Sequence, residues 1–243
     1  MSATTEISEL QAVDFALGDY ISKAFIGIAP TDGPALFRQF LSADVKAKIF
    51  RTDESEPLGV LKEYMKKVSP GNETETRDGK PVNIKKMMGK LPIIAYGRKP
   101  GLQVDPERAY YSTSVSQPPE ALALSTDKTH EVGIHPLTLT YTMLFLAWDK
   151  LTLDKMQVAW VIYAATHSKF AVKYNILGTE YAVDGKVTDA KNAIFSDVSM
   201  PPEEGRLWAV SLDLMIKTDV VSGNGVTLVD PVRWILTIEE GMK

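Results

Sequence analysis

The sequence predicts an α+β fold: a mostly antiparallel, twisted sheet flanked by helices, with long loops and a C-terminal strand or arm. Three observations carry this. Leu137, Leu139, Tyr141, Met143 and Phe145 alternate with Thr138, Thr140 and Thr142, the period-two pattern of a half-buried strand rich in β-branched residues. Leu153, Met156, Trp160 and Ala164 follow at helical spacing, one buried stripe of a helix that Thr152 can cap. Trp208, Val210, Leu212, Leu214 and Ile216 then face inward, with Ala209, Ser211, Asp213 and Lys217 outward. The organisation expected is one domain over residues 1–225. Residues 226–243 form a strand or arm after Ser222-Gly223-Asn224-Gly225.

Earlier elements follow from local signals. Ser8 and Gln11 stand at capping-box spacing, so Ser8 is expected to cap a helix whose stripe is Leu10, Val13, Leu17, Ile21 and Phe25. Pro30, Gly33 and Pro34 end it and start a second helix, Ala35 to Leu41. Val45 to Arg51 reads as a strand. Pro57 fits a helical first turn, and Leu58, Leu61, Met65 and Val68 give that helix its inner stripe. Ser69 to Pro81 is polar and turn-rich, an exposed loop. Leu91 to Tyr96 is a short apolar run, read as a buried strand.

Gly97 to Gly133 holds four prolines and one strand-like piece, Tyr110 to Val115. Such a long segment reads either as a functional loop or as unrecognised elements. Phe170, Val172, Tyr174 and Ile176 alternate as a strand, and Asp184-Gly185 predicts a hairpin turn. Val232, Trp234, Leu236 and Ile238 alternate in the last segment. It reads as a final strand or as an arm adding to a neighbour's sheet edge.

Composition narrows function. The chain has 243 residues, with 27 basic and 31 acidic side chains and a net charge of −4. That balance is scattered and offers no basic stripe for phosphates. Absence of cysteine excludes disulfides and cysteine nucleophiles. Met1 to Glu9 lacks a signal-peptide pattern, and no run approaches the roughly 20 apolar residues of a membrane span. A cytosolic product is expected.

Chemical motifs are few. His130 and His135 share a loop with Asp127 and Glu131, a residue set that suits a divalent ion without the spacing of a helical zinc site. His167 follows a helix end, where a cationic ring opposes the dipole. Glu203-Glu204 sit on a turn. Gly97-Arg98-Lys99-Pro100-Gly101 is basic but lacks phosphate-loop spacing. The reading is therefore of a non-enzyme without cofactor or metal. Met87-Met88, Tyr110, Tyr111 and Trp234 are large side chains in loop or arm, of types enriched at interfaces.

One stretch carries a family resemblance. Pro136 to Phe145 is followed by Asp154-Lys155-Met156-Gln157, an apolar helix and Phe170-Ala171-Val172. This resembles the tail terminator proteins, or tail sheath stabilisers, of contractile-tailed bacteriophages. There a proline-led strand precedes an acidic-Met-Gln helix and an extended segment opened by Phe. Gly18-Asp19, Leu91-Pro92 and the strand from Arg206 to Val221 fall in the same order. The helix departs from the family at its end, running Ala164 to Ser168 where an Ile-Leu-Pro-type stop is common.

The resemblance implies a hexameric ring that caps the tail tube, anchors the sheath and joins the tail to the head connector. It would be assembled in the host cytoplasm and reside in the virion. Implied partners are copies of itself, tail tube protein, tail sheath protein and head-to-tail connector proteins. DNA passes only in transit, and no membrane is involved. Arg98, Lys99, Arg108, Tyr110, Tyr111 and Trp234 are the expected interface residues. The alternatives are a connector or baseplate wedge protein, an enzyme of unrecognised class working at the His130–His135 loop, and a small-ligand binding domain.

Overall fold

The computed structural model describes residues 5–29, 31–68, 76–77, 80–81, 91–105, 128–176, 178–188, 193–200 and 207–227. Arg108, Tyr110, Tyr111, Trp234, Met87-Met88, Glu203-Glu204 and the Tyr110–Val115 strand lie outside them. So do the side chain of His130 and everything after Thr227.

Eleven strands and four α-helices are described: β1 (Thr5–Ile7), α1 (Gln11–Lys23), α2 (Ala35–Ser42), β2 (Ile49–Arg51), α3 (Pro57–Val68), β3 (Thr76–Arg77), β4 (Lys80–Pro81), β5 (Ile93–Arg98), β6 (Gln103–Val104), β7 (Lys128–Ala147), α4 (Lys150–Thr166), β8 (Lys169–Ile176), β9 (Thr179–Thr188), β10 (Phe195–Asp197) and β11 (Trp208–Thr227). The fold is α+β, as the sequence predicts, and its sheet curls into a half-barrel. Nine strands join it in the order β2-β5-β7-β11-β9-β8, with β1 and β10 added to β11 and β6 to β7. Among these pairings only β2–β5 is parallel. β3 and β4 pair separately, where a loop is expected.

The sheet has two covered faces. On one, Val13 and Leu17 of α1, Phe37 and Phe40 of α2, and Met156 and Trp160 of α4 pack on Leu139, Tyr141, Met143 and Phe145 of β7. On the other, Val60, Leu61, Tyr64 and Met65 of α3 pack on Ile93, Ala95, Leu144, Leu146 and Ala209. The Leu–Thr alternation of β7 therefore gives way to a continuous buried run, Met143 to Ala147, as expected of a strand covered on both sides. Ala209, read as outward, lies under α3 for the same reason, and Trp208 is half-buried.

Five local signals resolve differently in the fold. Ser8 does not cap α1. Its backbone N–H donates to the Val221 carbonyl (2.8 Å), and its Oγ accepts from the Val221 N–H (2.9 Å). Asp149, not Thr152, caps α4: its carboxylate accepts from the Thr152 N–H at 2.8 Å. Val45–Lys48 forms a 3-10 turn capped by Asp44, leaving only Ile49–Arg51 as strand.

Asp184-Gly185 lies inside β9. The turn joining β8 to β9 is at Gly178, whose φ of 80° favours glycine. Gly185 instead makes room for the Phe170 ring, which a Cβ would meet at 2.6 Å. β11 also runs through Ser222–Gly225 to Thr227, paired with β7 throughout and with β1 at its far end.

Candidate interaction surface

Helix α4 is apolar on both sides. Its start is fixed by the Asp149 cap. At its end the His167 N–H donates to the Tyr163 carbonyl at 2.8 Å, and the His167 ring stacks on Tyr163 with centroids 4.6 Å apart. His167 thus occupies the C-terminal position that opposes the helix dipole, and its carbonyl accepts from the Tyr20 hydroxyl. The inner stripe is the one the sequence predicts: Leu153, Met156, Trp160 and Ala164 are buried.

The outer side is the unexpected feature. Leu151, Val158 and Ile162 lie seven and four positions apart, hence on one side of the helix. They are 67%, 54% and 62% exposed. Ile26, in the α1–α2 connection, is 60% exposed beside them. Val158 and Ile162 form one wall of a cleft of about 570 Å³, whose lining also includes Ile26, Ile28 and Phe37. Lys23, Lys155 and Asp32 are its charged lining residues. Lys155 Nζ is 3.3 Å from Asp32, and Lys23 Nζ is 3.1 Å from Asp19.

Isolated exposed apolar side chains are ordinary. A contiguous patch with a charged border marks a contact surface. Each such residue forgoes over half of the about 1.5–3 kcal/mol that full burial of its side chain contributes. A second, more polar cleft of about 320 Å³ opens where β1, α1 and β8 meet, with Ile7 and Phe15 exposed in its lining.

Beneath α1 lies a buried ionic centre. Asp14 is fully buried and accepts a hydrogen bond from the Tyr141 hydroxyl at 2.6 Å. Arg51 Nη1 is 3.2 Å from Asp14 Oδ2, and Arg98 Nε is 3.9 Å from Oδ1. Burial first, and then the hydrogen bond to the Asp14 carboxylate, push the Tyr141 hydroxyl far above the ordinary tyrosine value. Tyr96 is pushed up to about 12 by burial and, secondarily, by the charge of Asp14. A carboxylate removed from water persists only when paired, so the two guanidinium groups and Tyr141 tie α1 to β2, β5 and β7.

Of the expected interface residues, the two described ones take opposite sides of one segment. Arg98 turns inward to Asp14, and its Nη1 is buried without a hydrogen bond among the described residues. Lys99 reaches the exposed Asp213, 2.7 Å away, which also accepts from Thr142 Oγ1 at 3.0 Å. Burial works to raise the Asp213 pKa, but the hydrogen bonds from Lys99 and Thr142 hold it below the ordinary carboxylate value. His135 Nε2 lies 3.0 Å from Ser222 Oγ. Among the described residues no three His, Cys, Asp or Glu side chains gather to hold a metal, and no helix is long and apolar enough to cross a membrane.

Sequence reasoning assigned α4 one stripe and missed the other. The signal was present, since Leu151, Val158, Val161 and Ile162 leave little polar surface on that helix. No protein-family model matches the chain, and no curated protein matches it either.

Proposed function

We propose that the chain is an assembly subunit of the tail-terminator type, which closes into a ring on a phage tail tube. The observation that carries this is the exposed apolar face of α4, rigidly backed by a fully packed inner face. A ring of identical subunits needs two different surfaces that meet head to tail and close by rotation. The α4 face with its cleft supplies one of them.

Element order supports the family reading. Pro136 leads into the buried part of β7, Met156-Gln157 lies on α4, and Phe170 is the second residue of β8. These are the positions in which the terminator pattern sets a strand, a helix and an extended segment. In this role the ring caps the tube, holds the upper end of the sheath and meets the head connector, while DNA passes through. The activity is binding, with no cofactor.

The test is the solution mass of the full-length protein, negative-stain images of the same sample, and co-sedimentation with assembled tail tubes. Six-fold rings that sediment with tubes are expected. Rings of another symmetry that ignore tubes would favour a connector or baseplate role. A monomer that ignores tubes would overturn the reading.

A further inference from the structure

We infer that the cleft beside α4 receives residues 228–243 of a neighbouring copy, with Trp234 as the anchor. This rests on the ring reading above and says which segment fills its exposed surface.

Strand direction is the first ground. β11 starts at Trp208, beside the end of β7 that leads into α4, and runs away from it. Its last pairing with β9 is at Lys217, itself in line with Lys169 just beyond α4. From there to Thr227 the strand advances about 33 Å at the usual rise per residue. The sequence continues through Leu228 to Lys243, an extended reach of at most about 55 Å. To enter its own cleft Trp234 must retrace that about 33 Å with only seven residues beyond Thr227, which span at most about 25 Å. To enter a neighbour's, it need not.

Chemical fit is the second. Val232, Trp234, Leu236 and Ile238 alternate in the segment and are followed by Glu239-Glu240. The cleft offers Ile26, Ile28, Phe37, Val158 and Ile162 within about 570 Å³, and its Lys23 and Lys155 are paired with Asp19 and Asp32. An alternating apolar segment matches an apolar cleft, and aromatic anchors in such pockets carry most of an interface's affinity.

The sheet edges suit an arm less well. β2 is three residues long, and β8 presents Lys169 and Lys173, already paired with Asp184 and Glu180. Short and lysine-bearing edges discourage strand addition.

The chain has no cysteine, so a pair can be introduced without background. Val158→Cys and Ile238→Cys together, in the full-length protein under oxidising conditions, should give a ladder of covalently linked chains. Either single variant should not. An intrachain link instead would place the segment in its own cleft and overturn the inference. Rings without any link would overturn it while leaving the ring reading intact. Neither rings nor links, in a chain that also ignores tail tubes, would end both. As a second variant, Trp234→Ala should weaken subunit association about 30-fold, the scale of a lost aromatic anchor. Unchanged association would also overturn the inference.

Discussion

The inner and outer faces of α4 are built from the same kind of residue and meet different fates. Leu153, Met156, Trp160 and Ala164 are enclosed by α1, α2 and the sheet; Leu151, Val158 and Ile162 are left to solvent. An apolar face contributes to folding only where another element covers it. The inner face therefore bears on the stability of one chain, and the outer face on the association of several.

The largest effect expected is at the inner face. Trp160 is 1% exposed and meets the Tyr20 ring edge-on at 5.7 Å. Trp160→Ala should cost about 3–5 kcal/mol in denaturant unfolding. A loss under about 1 kcal/mol would mean that α4 is only loosely seated.

Close behind comes the ionic centre under the same helical layer. Asp14→Ala leaves Arg51 and Arg98 without their buried partner, and should cost about 3 kcal/mol by the same measurement. Tyr141→Phe removes a single hydrogen bond to a charged group and should cost about 1.5–3 kcal/mol. If Asp14→Ala were neutral, the pairing would contribute nothing net to holding α1 on the sheet.

The outer face should behave in the opposite way. Ile162→Glu should change unfolding free energy by no more than about 0.5 kcal/mol, as for other surface substitutions, while disrupting association. A large loss of stability would show that this face belongs to the chain's own core.

The smallest effect concerns the border of the cleft. Hydrogen bonds from Lys46 and then Lys23 hold the Asp19 carboxylate below its ordinary value. Its contribution is thus present above the unfolded pKa and fades as pH falls through the lower folded value. Asp19 is partly exposed, so solvent screens the pair. Asp19→Asn should slightly flatten the decline in stability between about pH 5 and about pH 3. An unchanged slope would leave the pair without influence.

What the sequence made legible, and what it did not, follows the same division. The β8 alternation and the inner stripe of α4 were readable because burial on one face imposes a period along a single element. Ser8, Asp184-Gly185 and Ser222–Gly225 misled because their roles are set across the fold. Ser8 bonds to Val221, Gly185 yields to the Phe170 ring, and the glycines of β11 are held in register by β7 and β1. Of the expected interface residues, Lys99 pairs with Asp213 and Arg98 turns inward to a buried carboxylate, and no local pattern reveals either partner. The outer face of α4 was hidden by habit: one apolar stripe explains a helix, and a second needs a partner to explain it.

The most direct test of the central claim is the mass of full-length protein in solution, wild type beside Ile162→Glu, across a range of concentrations. A wild-type assembly of six 26.8 kDa chains, falling to monomer in a variant with unchanged melting, is the result expected. A wild type that stays monomeric at every concentration, or an assembly that Ile162→Glu leaves intact, would contradict the claim that the outer face of α4 joins one subunit to the next.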